Sequence, residues 1–266
     1  MKKPEVILWT LLLLSAILLS QCTSAPATTP TVPTPTSVAQ TVASAPTASP
    51  TPLPTAPLDP YEQARLDMVR YQIERRGIAD EAVLTAMRTV PRHLFVPDEF
   101  LKQAYEDHPL PIGYNQTISQ PFIVAWMTEL LHVKEGAKVL EVGTGSGYQA
   151  AILGEMGLEV YTVEIIEALA AQATERLANM QYDNIRVAHK DGYYGWEEHA
   201  PFDAIIVTCA PDHVPPDLVK QLKDGGRMVV PVGPPGGYQS LFLITKEDGQ
   251  AKSESLGGVR FVPLTR

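Results

Sequence analysis

The fold of this chain is decided by the stretch Lys138-Val139-Leu140-Glu141-Val142-Gly143-Thr144-Gly145-Ser146-Gly147-Tyr148. A short apolar strand ends in an acid and a valine, three glycines follow at alternate positions, and a helix is predicted to begin near Gln149. Glycine lets the backbone turn sharply and approach a ligand closely, and the free N–H groups of the helix start suit an electron-rich ligand group. The stretch therefore predicts a nucleotide-like cofactor at the carboxyl edge of a parallel sheet. The alternative is a strand-to-helix turn with a structural role only.

The spacing of the glycines narrows the class of cofactor. Glycines at 143, 145 and 147 do not form the G-x-G-x-x-G pattern of dinucleotide binding, and no Lys-Ser/Thr pair follows as a phosphate-binding P-loop requires. The centre of the pentad is Gly145, where a hydrolase would carry its nucleophilic serine. An acid followed by three alternate glycines resembles the first motif of S-adenosylmethionine-dependent methyltransferases.

Strands and helices alternate along the chain around this stretch. Helices are predicted at 61–76, at 80–90 and after Pro121, with a Pro- and Gly-rich loop at 109–113. Short apolar runs predict strands at 139–142, 160–163, 185–188, 204–207, 227–231, 241–245 and 258–264. Strands that alternate with helices form largely parallel sheets covered on both faces. The predicted fold is α/β: a doubly wound, mostly parallel Rossmann-like sheet preceded by N-terminal helices.

Two more acids follow the next two strands of this sheet. Glu164 lies about twenty residues beyond the glycines, where an acid can accept hydrogen bonds from both hydroxyls of a ribose. Asp191-Gly192 ends the following strand, where a carboxylate can accept from an adenine amino group and a backbone N–H can meet the ring. Either acid alone is more simply a solvated strand end. Three consecutive strand ends that carry acids around a glycine loop favour an adenosyl cofactor.

A loop before the sheet narrows the chemistry. It reads Pro111-Ile112-Gly113-Tyr114-Asn115-Gln116-Thr117-Ile118-Ser119-Gln120-Pro121 and closely resembles the signature loop of protein-L-isoaspartate O-methyltransferases. Further matches to that family are Val90-Pro91-Arg92, Phe95-Val96-Pro97, Gly225-Gly226-Arg227 and Arg260-Phe261-Val262-Pro263-Leu264-Thr265. The resemblance covers nearly everything from Asp67 to Arg266. It implies the fold of class I S-adenosylmethionine-dependent methyltransferases.

The resemblance also implies an activity and a set of site residues. Members of the family transfer a methyl group from S-adenosylmethionine to the α-carboxylate of L-isoaspartyl residues, and less readily D-aspartyl residues, in damaged proteins. Ser119 matches the active-site serine, Thr117 is the second catalytic candidate, and Val124 stands where some members place a histidine. The implied cofactor contacts are Gln116, Thr117, Ile118, Ser119, Glu141, Val142, Gly143, Thr144, Gly145, Ser146, Gly147, Glu164, Asp191, Gly192 and Thr265.

The chemistry of this reaction limits what the site residues have to do. A carboxylate is already ionised at neutral pH and needs no general base. Charge is cancelled as it attacks a sulfonium methyl group, so a dry pocket helps. The remaining requirement is alignment. Ser119 is therefore expected to hold one carboxylate oxygen towards the methyl group, whereas the alternative is that its hydroxyl only stabilises the loop.

Two other functions remain open from the sequence. A methyltransferase of small molecules or nucleic acids would share the sheet motifs but would not need the loop Thr117–Pro121. An exported lipoprotein could have kept the fold and lost the activity, because S-adenosylmethionine is made inside cells.

Composition excludes some classes of partner. The chain has 266 residues and a formal charge of −9, which argues against non-specific nucleic-acid binding. Its six histidines show no metal-ligand spacing, so no metal is predicted. Cys209 is the one thiol of the predicted domain and is interpreted as a buried strand-end residue, with a catalytic pair with His213 as the alternative. We expect the protein to act as a monomer.

The first 57 residues are predicted to lie outside the folded domain. Residues 1–22 combine Lys2 and Lys3 with a short apolar run that ends at Cys22, which resembles a lipoprotein signal, although Gln21 departs from the small residue usual before that cysteine. Residues 23–57 carry no charge and are rich in Thr, Pro, Ser and Ala, which predicts a disordered tether. We expect residues 58–266 to form a methyltransferase domain held at a membrane. The alternatives are an uncleaved anchor, or translation from Met68 that gives a cytoplasmic enzyme.

Overall fold

The computed structural model describes residues 60–266 of the chain. The predicted signal segment 1–22, with Cys22, and the predicted tether 23–57 lie outside the described residues. Within 60–266, none of the helices has the length and apolar character needed to cross a membrane.

Three α-helices precede the central sheet in the described residues, as the sequence predicts, and 3-10 helices at Arg92–Phe95 and Asp98–Gln103 follow the second of them. Helix α1 (Pro60–Met68) continues as a π-turn and a 3-10 turn to Arg76. Helix α2 (Glu81–Thr89) begins at the cap Asp80, whose carboxylate accepts hydrogen bonds from the N–H groups of the second and third residues that follow it. Helix α3 (Pro121–Leu131) begins with its proline, which has no N–H to satisfy.

The loop predicted before α3 is a β-hairpin, so that prediction is wrong. Strands β1 (Leu110–Gly113) and β2 (Gln116–Ile118) pair antiparallel. Tyr114 and Asn115 both have positive φ, of 50° and 57°, as in the tight turns that suit hairpins. Pro111 and Gly113 hid the strand in the sequence, because a short two-stranded ribbon tolerates residues that a central strand does not.

The central sheet has seven strands in the order β5-β4-β3-β6-β7-β8-β9. The first five of that order run parallel, and the last two are antiparallel. Their bounds are β3 Lys138–Val142, β4 Glu159–Glu164, β5 Ile185–His189, β6 Phe202–Val207, β7 Leu222–Val232, β8 Gln239–Glu247 and β9 Gln250–Val259. The doubly wound, mostly parallel α/β fold is thereby confirmed. The order reverses between β3 and β6, at the switch point where such sheets bind ligands.

Apolar side chains cover both faces of the sheet. Helices α4 (Tyr148–Glu155) and α5 (Glu167–Asn179) follow β3 and β4, and α6 (Pro216–Gln221) precedes β7. One face packs with α4 and the N-terminal helices into the larger core. The other face forms a smaller core that includes Phe202, Leu218 and Met228. The strands between these cores are buried on both sides, which explains why their sequences are apolar runs.

The last predicted strand, 258–264, is displaced in the structure. Strand β9 covers Gln250–Val259, and residues 260–266 are irregular apart from a parallel bridge between Ala210 and Pro263. The polar residues of β9 gave no strand signal because the strand lies at the exposed edge of the sheet. The apolar residues after it instead cross the carboxyl edge, where Ala210 N–H donates to Val262 O (2.8 Å) and Leu264 N–H donates to Ala210 O (2.9 Å).

Candidate active site

The glycine loop after β3 is held tightly against the end of β6. Gly143, Gly145 and Gly147 all have positive φ. The hydroxyl of Thr208 donates to the carbonyl oxygen of Gly143 at 2.6 Å. A Cβ atom on Gly143 would lie 2.6 Å from that hydroxyl oxygen, closer than van der Waals contact allows. The turn therefore needs glycine at 143 for its conformation and for its packing.

Glu164 ties the end of β4 to this loop. Its carboxylate is buried, and it accepts hydrogen bonds from the N–H of Gly145 (2.8 Å) and the N–H of Ile166 (3.0 Å). A carboxylate offers about four lone-pair sites. Two of them are occupied, so Glu164 keeps acceptor capacity on the cavity that it lines.

Glu141 is the most unusual acid of the site. It is fully buried, and neither carboxyl oxygen has a hydrogen-bond partner within the described residues. Burial raises the pKa of this carboxyl to about 8; the hydroxyl of Thr162 opposes the rise and the charge of Glu164 adds to it. Burial therefore favours the neutral form of this carboxyl. A buried polar group without a partner, on the wall of a cavity, fits a ligand that supplies the missing hydrogen bond.

Gly192 lines the cavity, but the neighbouring Asp191 does not. Asp191 accepts from the N–H of Tyr193 (2.9 Å), and its other oxygen lies 3.5 Å from Nε of Arg266. A Cβ atom on Gly192 would lie 2.5 Å from a methyl carbon of Val142. The backbone at 192 thus forms part of the cavity wall, while the Asp191 carboxylate lies outside it.

The substrate loop, residues 116–121, reaches the same cavity from the other side. Gln116, Thr117, Ile118 and Ser119 line it. A buried side chain anchors the main chain of this loop: Arg92 donates a hydrogen bond to the carbonyl oxygen of Ser119 at 2.8 Å. Ser119 therefore sits on an anchored turn.

A groove of about 820 Å³ adjoins the cavity. Thr117, Ser119, Thr208 and Val262 line both spaces. The remaining groove wall is largely apolar and aromatic, with contributions from Phe122, Ile123, Trp126, Tyr238, Val259 and Phe261. The substrate loop thus lies between the cavity at the strand ends and the larger, mainly apolar groove.

Most predicted site residues meet in this cavity. Thr265 reaches it through the irregular C-terminal segment. The predicted residues on its lining are Gln116, Thr117, Ile118, Ser119, Glu141, Val142, Gly143, Thr144, Gly145, Ser146, Glu164, Gly192 and Thr265, whereas Gly147 and Asp191 are not on it. Gly147 instead caps α4 and packs against α5, where its added Cβ would lie 3.4 Å from Ala173.

Sequence reasoning missed several residues of the lining. One of them is Val124, which stands where some members of the family place a histidine and which lies on the cavity lining. The others are Tyr148, Gln149, Val163, Ile165, Ile166, Thr208, Cys209, Val262, Pro263 and Leu264. Thr208 and Cys209 follow β6, so the rule that located the acids at strand ends would have located them as well. The segment 262–264 carried no local signal for a cofactor site.

Cys209 is half-buried at the end of β6 and does not pair with histidine among residues 60–266. Burial raises the pKa of its thiol to about 12, and the nearby carboxyls of Glu164 and Glu141 add to the rise. His213 instead contacts the hydroxyl of Tyr193 (2.9 Å) and the carboxylate of Asp212 (2.5 Å). A protonated thiol without a base is not a nucleophile, which argues against the catalytic pair and leaves Cys209 as a half-buried strand-end residue.

Comparisons with known proteins agree with this geometry. A sequence model of the family described as Protein-L-isoaspartate(D-aspartate) O-methyltransferase matches residues 63–266. The chain is 54% identical over 213 residues to protein-L-isoaspartate O-methyltransferase 2 of Shewanella sediminis, covering 80% of this chain and 87% of the relative. It is 54% identical over 210 residues to protein-L-isoaspartate O-methyltransferase of Opitutus terrae, covering 77% and 90%.

Two solved structures are similar over the same region. One is a protein-L-isoaspartate O-methyltransferase, with a TM-score of 0.71 and 29% identity over 76% of this chain and 66% of that one. The other is a putative protein-L-isoaspartate O-methyltransferase from Plasmodium falciparum in complex with S-adenosyl-L-homocysteine, with a TM-score of 0.65, 27% identity, and coverage of 76% and 98%.

Proposed function

The chain belongs to the protein-L-isoaspartate(D-aspartate) O-methyltransferase family, and from that premise we propose how its own residues carry out the reaction. It is a protein-repair methyltransferase that transfers a methyl group from S-adenosylmethionine to the α-carboxylate of isoaspartyl residues. The observation that supports our assignment of roles is the convergence of the glycine loop, two buried acids and the loop of Ser119 on one cavity.

The cofactor side of the site is assigned to the three strand ends. We assign Glu164 to the ribose hydroxyls, because it keeps free acceptor sites beside the glycine loop. The backbone of Gly192 is assigned to the adenine ring, with Asp191 at the outer rim as acceptor for the amino group. Glu141, neutral and without a partner, is assigned to a polar group of the cofactor. When bound there, S-adenosylmethionine supplies an activated methyl group.

The reaction side of the site is assigned to Ser119 and Thr117. The substrate carboxylate is ionised at neutral pH, so the site needs no base and Ser119 has only to orient one oxygen. That hydrogen bond weakens as charge leaves the oxygen, so it contributes by positioning and not by stabilising the transition state. Thr117 lies two residues away on the same boundary between cavity and groove, where its hydroxyl can bond the second oxygen.

The groove is assigned to the peptide that flanks the isoaspartyl residue. Main-chain groups near 259–262 are one candidate to bind it, as an added strand. However, Phe261 already exchanges hydrogen bonds with the side chain of Gln239, at 2.6 and 3.1 Å, and Val262 O accepts from Ala210. Fewer main-chain groups are therefore free, and the aromatic wall carries more of the contact. Apolar contact of this kind tolerates many substrate sequences.

A peptide assay tests the function directly. Residues 58–266 should methylate an isoaspartyl peptide and leave its normal aspartyl twin unmodified. Glu164→Gln should weaken S-adenosyl-L-homocysteine binding in calorimetry by about ten- to a hundredfold, the usual worth of a charge-assisted hydrogen bond. The exposed Glu167→Gln is the matched control on the same segment. Equal methylation of both peptides would refute the specificity, and unchanged affinity in Glu164→Gln would refute that residue's role.

We also propose that residues 1–57 place the enzyme at a membrane. Lys2, Lys3, the apolar run and Cys22 support a lipoprotein signal, and the uncharged segment 23–57 supports a tether. Translation from Met68 is the less favoured alternative, because Met68 is buried in α1 and the preceding Tyr61 stacks on His93 at 4.1 Å. Cys22→Ser should abolish fatty-acid labelling. Recovery of unlabelled wild-type protein wholly in the cytosolic fraction would instead support the cytoplasmic alternative.

A further inference from the structure

A buried arginine holds the substrate loop. Arg92 is fully buried, and it donates from Nη2 to the carbonyl oxygen of Ser119 (2.8 Å) and from Nε to the carbonyl oxygen of Ala104 (2.9 Å). Its guanidinium carbon lies 4.8 Å from the ring centroid of Tyr148. Tyr148 is the first residue of α4, directly after the glycine loop, and it lines the cofactor cavity. One side chain thus touches parts of both halves of the site.

A second arginine mirrors this arrangement on the cofactor loop. Arg176 on α5 donates from Nη1 to the carbonyl oxygen of Ser146 at 2.7 Å, and its guanidinium carbon lies 5.8 Å from the ring centroid of Phe95. Phe95 and Tyr148 meet edge to face, with centroids 5.4 Å apart. Four side chains therefore form a continuous series of contacts in the order Arg92, Tyr148, Phe95, Arg176. At one end Arg92 donates to the carbonyl oxygen of Ser119 in the substrate loop, and at the other end Arg176 donates to the carbonyl oxygen of Ser146 in the glycine loop.

The charge of these arginines is not explained by stability alone. No carboxylate within residues 60–266 lies at ion-pair distance from either guanidinium, and Nη1 of Arg92 has no hydrogen-bond partner there. Burial lowers the pKa of Arg92 to about 10, so it remains charged at neutral pH. Burying the unpaired charge of Arg92 is costly, and an apolar side chain would pack there at lower cost. Arg176 is half-buried. An arginine adds a planar guanidinium group that can donate hydrogen bonds to carbonyl oxygens and pack against an aromatic ring at the same time.

We propose that Arg92 and Arg176 are positioning residues that couple the substrate loop to the cofactor loop through the rings of Tyr148 and Phe95. Arg92 sets the main chain that carries the Ser119 hydroxyl, and Arg176 sets the main chain of the glycine loop. Because the rings between them are buried and packed, a change at one loop is transmitted to the other. This proposal rests on the proposed role of Ser119 in alignment.

Kinetics and calorimetry on Arg92→Lys, Arg176→Gln and the double variant test the coupling. Each single variant should change the function of the loop that its own side chain does not contact, in addition to the function of the loop that it does contact. Arg176→Gln should weaken S-adenosyl-L-homocysteine binding by about tenfold and also lower kcat for the isoaspartyl peptide by about threefold. Arg92→Lys should lower kcat by about tenfold and also weaken S-adenosyl-L-homocysteine binding by about threefold. The loss in kcat/KM of the double variant should be smaller than the product of the single losses, as expected for residues in one network.

Controls separate coupling from general damage and from failure of the Ser119 assignment. Arg227→Gln is the matched control, since Arg227 is also half-buried and donates to a carbonyl, that of Leu130, away from both loops. It should leave both measurements unchanged. If Arg92→Lys does not fold, the effect of Arg176→Gln on peptide kcat decides. Wild-type turnover in Ser119→Ala would refute the role of Ser119 in alignment. The loss of S-adenosyl-L-homocysteine affinity in Arg92→Lys would still report coupling between the two loops. The proposal would be overturned if each single variant changed only the measurement that belongs to the loop it contacts, and if the loss in kcat/KM of the double variant equalled the product of the two single losses.

Discussion

The cavity at the strand ends and the neighbouring groove, which we propose for the peptide, share a boundary but are built from different parts of the chain. The cavity lies where the glycine loop and two buried acids meet at the ends of adjacent strands, and residues 116–119 and 262–265 complete its wall. The groove is open, and its walls come from α3, the turn before β8 and the segment after β9, which are far apart in sequence. Only Thr117, Ser119, Thr208 and Val262 belong to both.

This difference reflects what each side has to recognise. A single charged cofactor is bound by a few directional hydrogen bonds and close backbone contact, so its site must be rigid. Damaged residues occur in many sequence contexts, and an open apolar wall makes few demands on sequence. Substitutions on the cofactor side should therefore have large effects on cofactor affinity, and substitutions in the groove should have small effects on KM for the peptide.

The largest effect is expected from the buried acid Glu141. Its pKa is raised by burial from 4.5 to about 8 in the folded protein, so between these values the fold holds a proton that the unfolded chain has lost. The free energy of unfolding of the unliganded enzyme should fall as pH rises, by roughly 3 kcal/mol between pH 5 and 8. Glu141→Gln should remove this contribution. Denaturant titrations of both proteins at several pH values measure it, and parallel pH profiles would contradict it.

A paired glycine substitution tests the rigidity of the cofactor side. Gly143→Ala and Gly136→Ala both place a side chain at positive φ, but only the former meets a neighbour, the hydroxyl of Thr208. Gly143→Ala should weaken S-adenosyl-L-homocysteine binding by about a hundredfold, from overpacking and loop distortion. Gly136→Ala should lose some stability through strain and keep its affinity. Similar affinities in calorimetry would mean that the loop adapts.

Ser119→Ala tests the boundary itself. The variant should keep S-adenosyl-L-homocysteine affinity within about twofold and lower kcat for the isoaspartyl peptide by about tenfold, the loss of one aligning hydrogen bond. Steady-state kinetics with calorimetry separate the two quantities. An affinity loss as large as the loss of kcat would place Ser119 on the cofactor side alone.

The smallest effect is expected in the groove. Tyr238 is 75% exposed and lines it, so Tyr238→Ala should raise KM for the isoaspartyl peptide by about threefold without changing kcat or cofactor affinity. The control is Tyr71→Ala, also exposed (44%) but on neither wall. An equal rise of KM in both variants would remove the groove from the peptide site.

Prediction from the sequence was more accurate for the cofactor side than for the groove side, for a physical reason. Glycines at 143, 145 and 147 need positive φ and a helix start directly after a strand, so the glycine loop was readable from local spacing. The hairpin β1–β2 and strand β9 were missed because their stability comes from pairing at an edge and not from an apolar pattern. Asp191 was predicted on the cavity, but the structure turns its carboxylate towards Arg266, which no local pattern signals.

By itself the sequence determined the alternation of strands and helices, the glycine loop and the acids at strand ends, because each depends on the local order of residues, whereas the loop of Ser119 was identified by its resemblance to a known family. Tertiary structure alone decided the raised pKa of Glu141, the C-terminal segment that brings Val262 to Thr265 onto the cavity, and the bond from Arg92 to Ser119. Burial and contact between distant segments set those properties, and neither is encoded in local spacing.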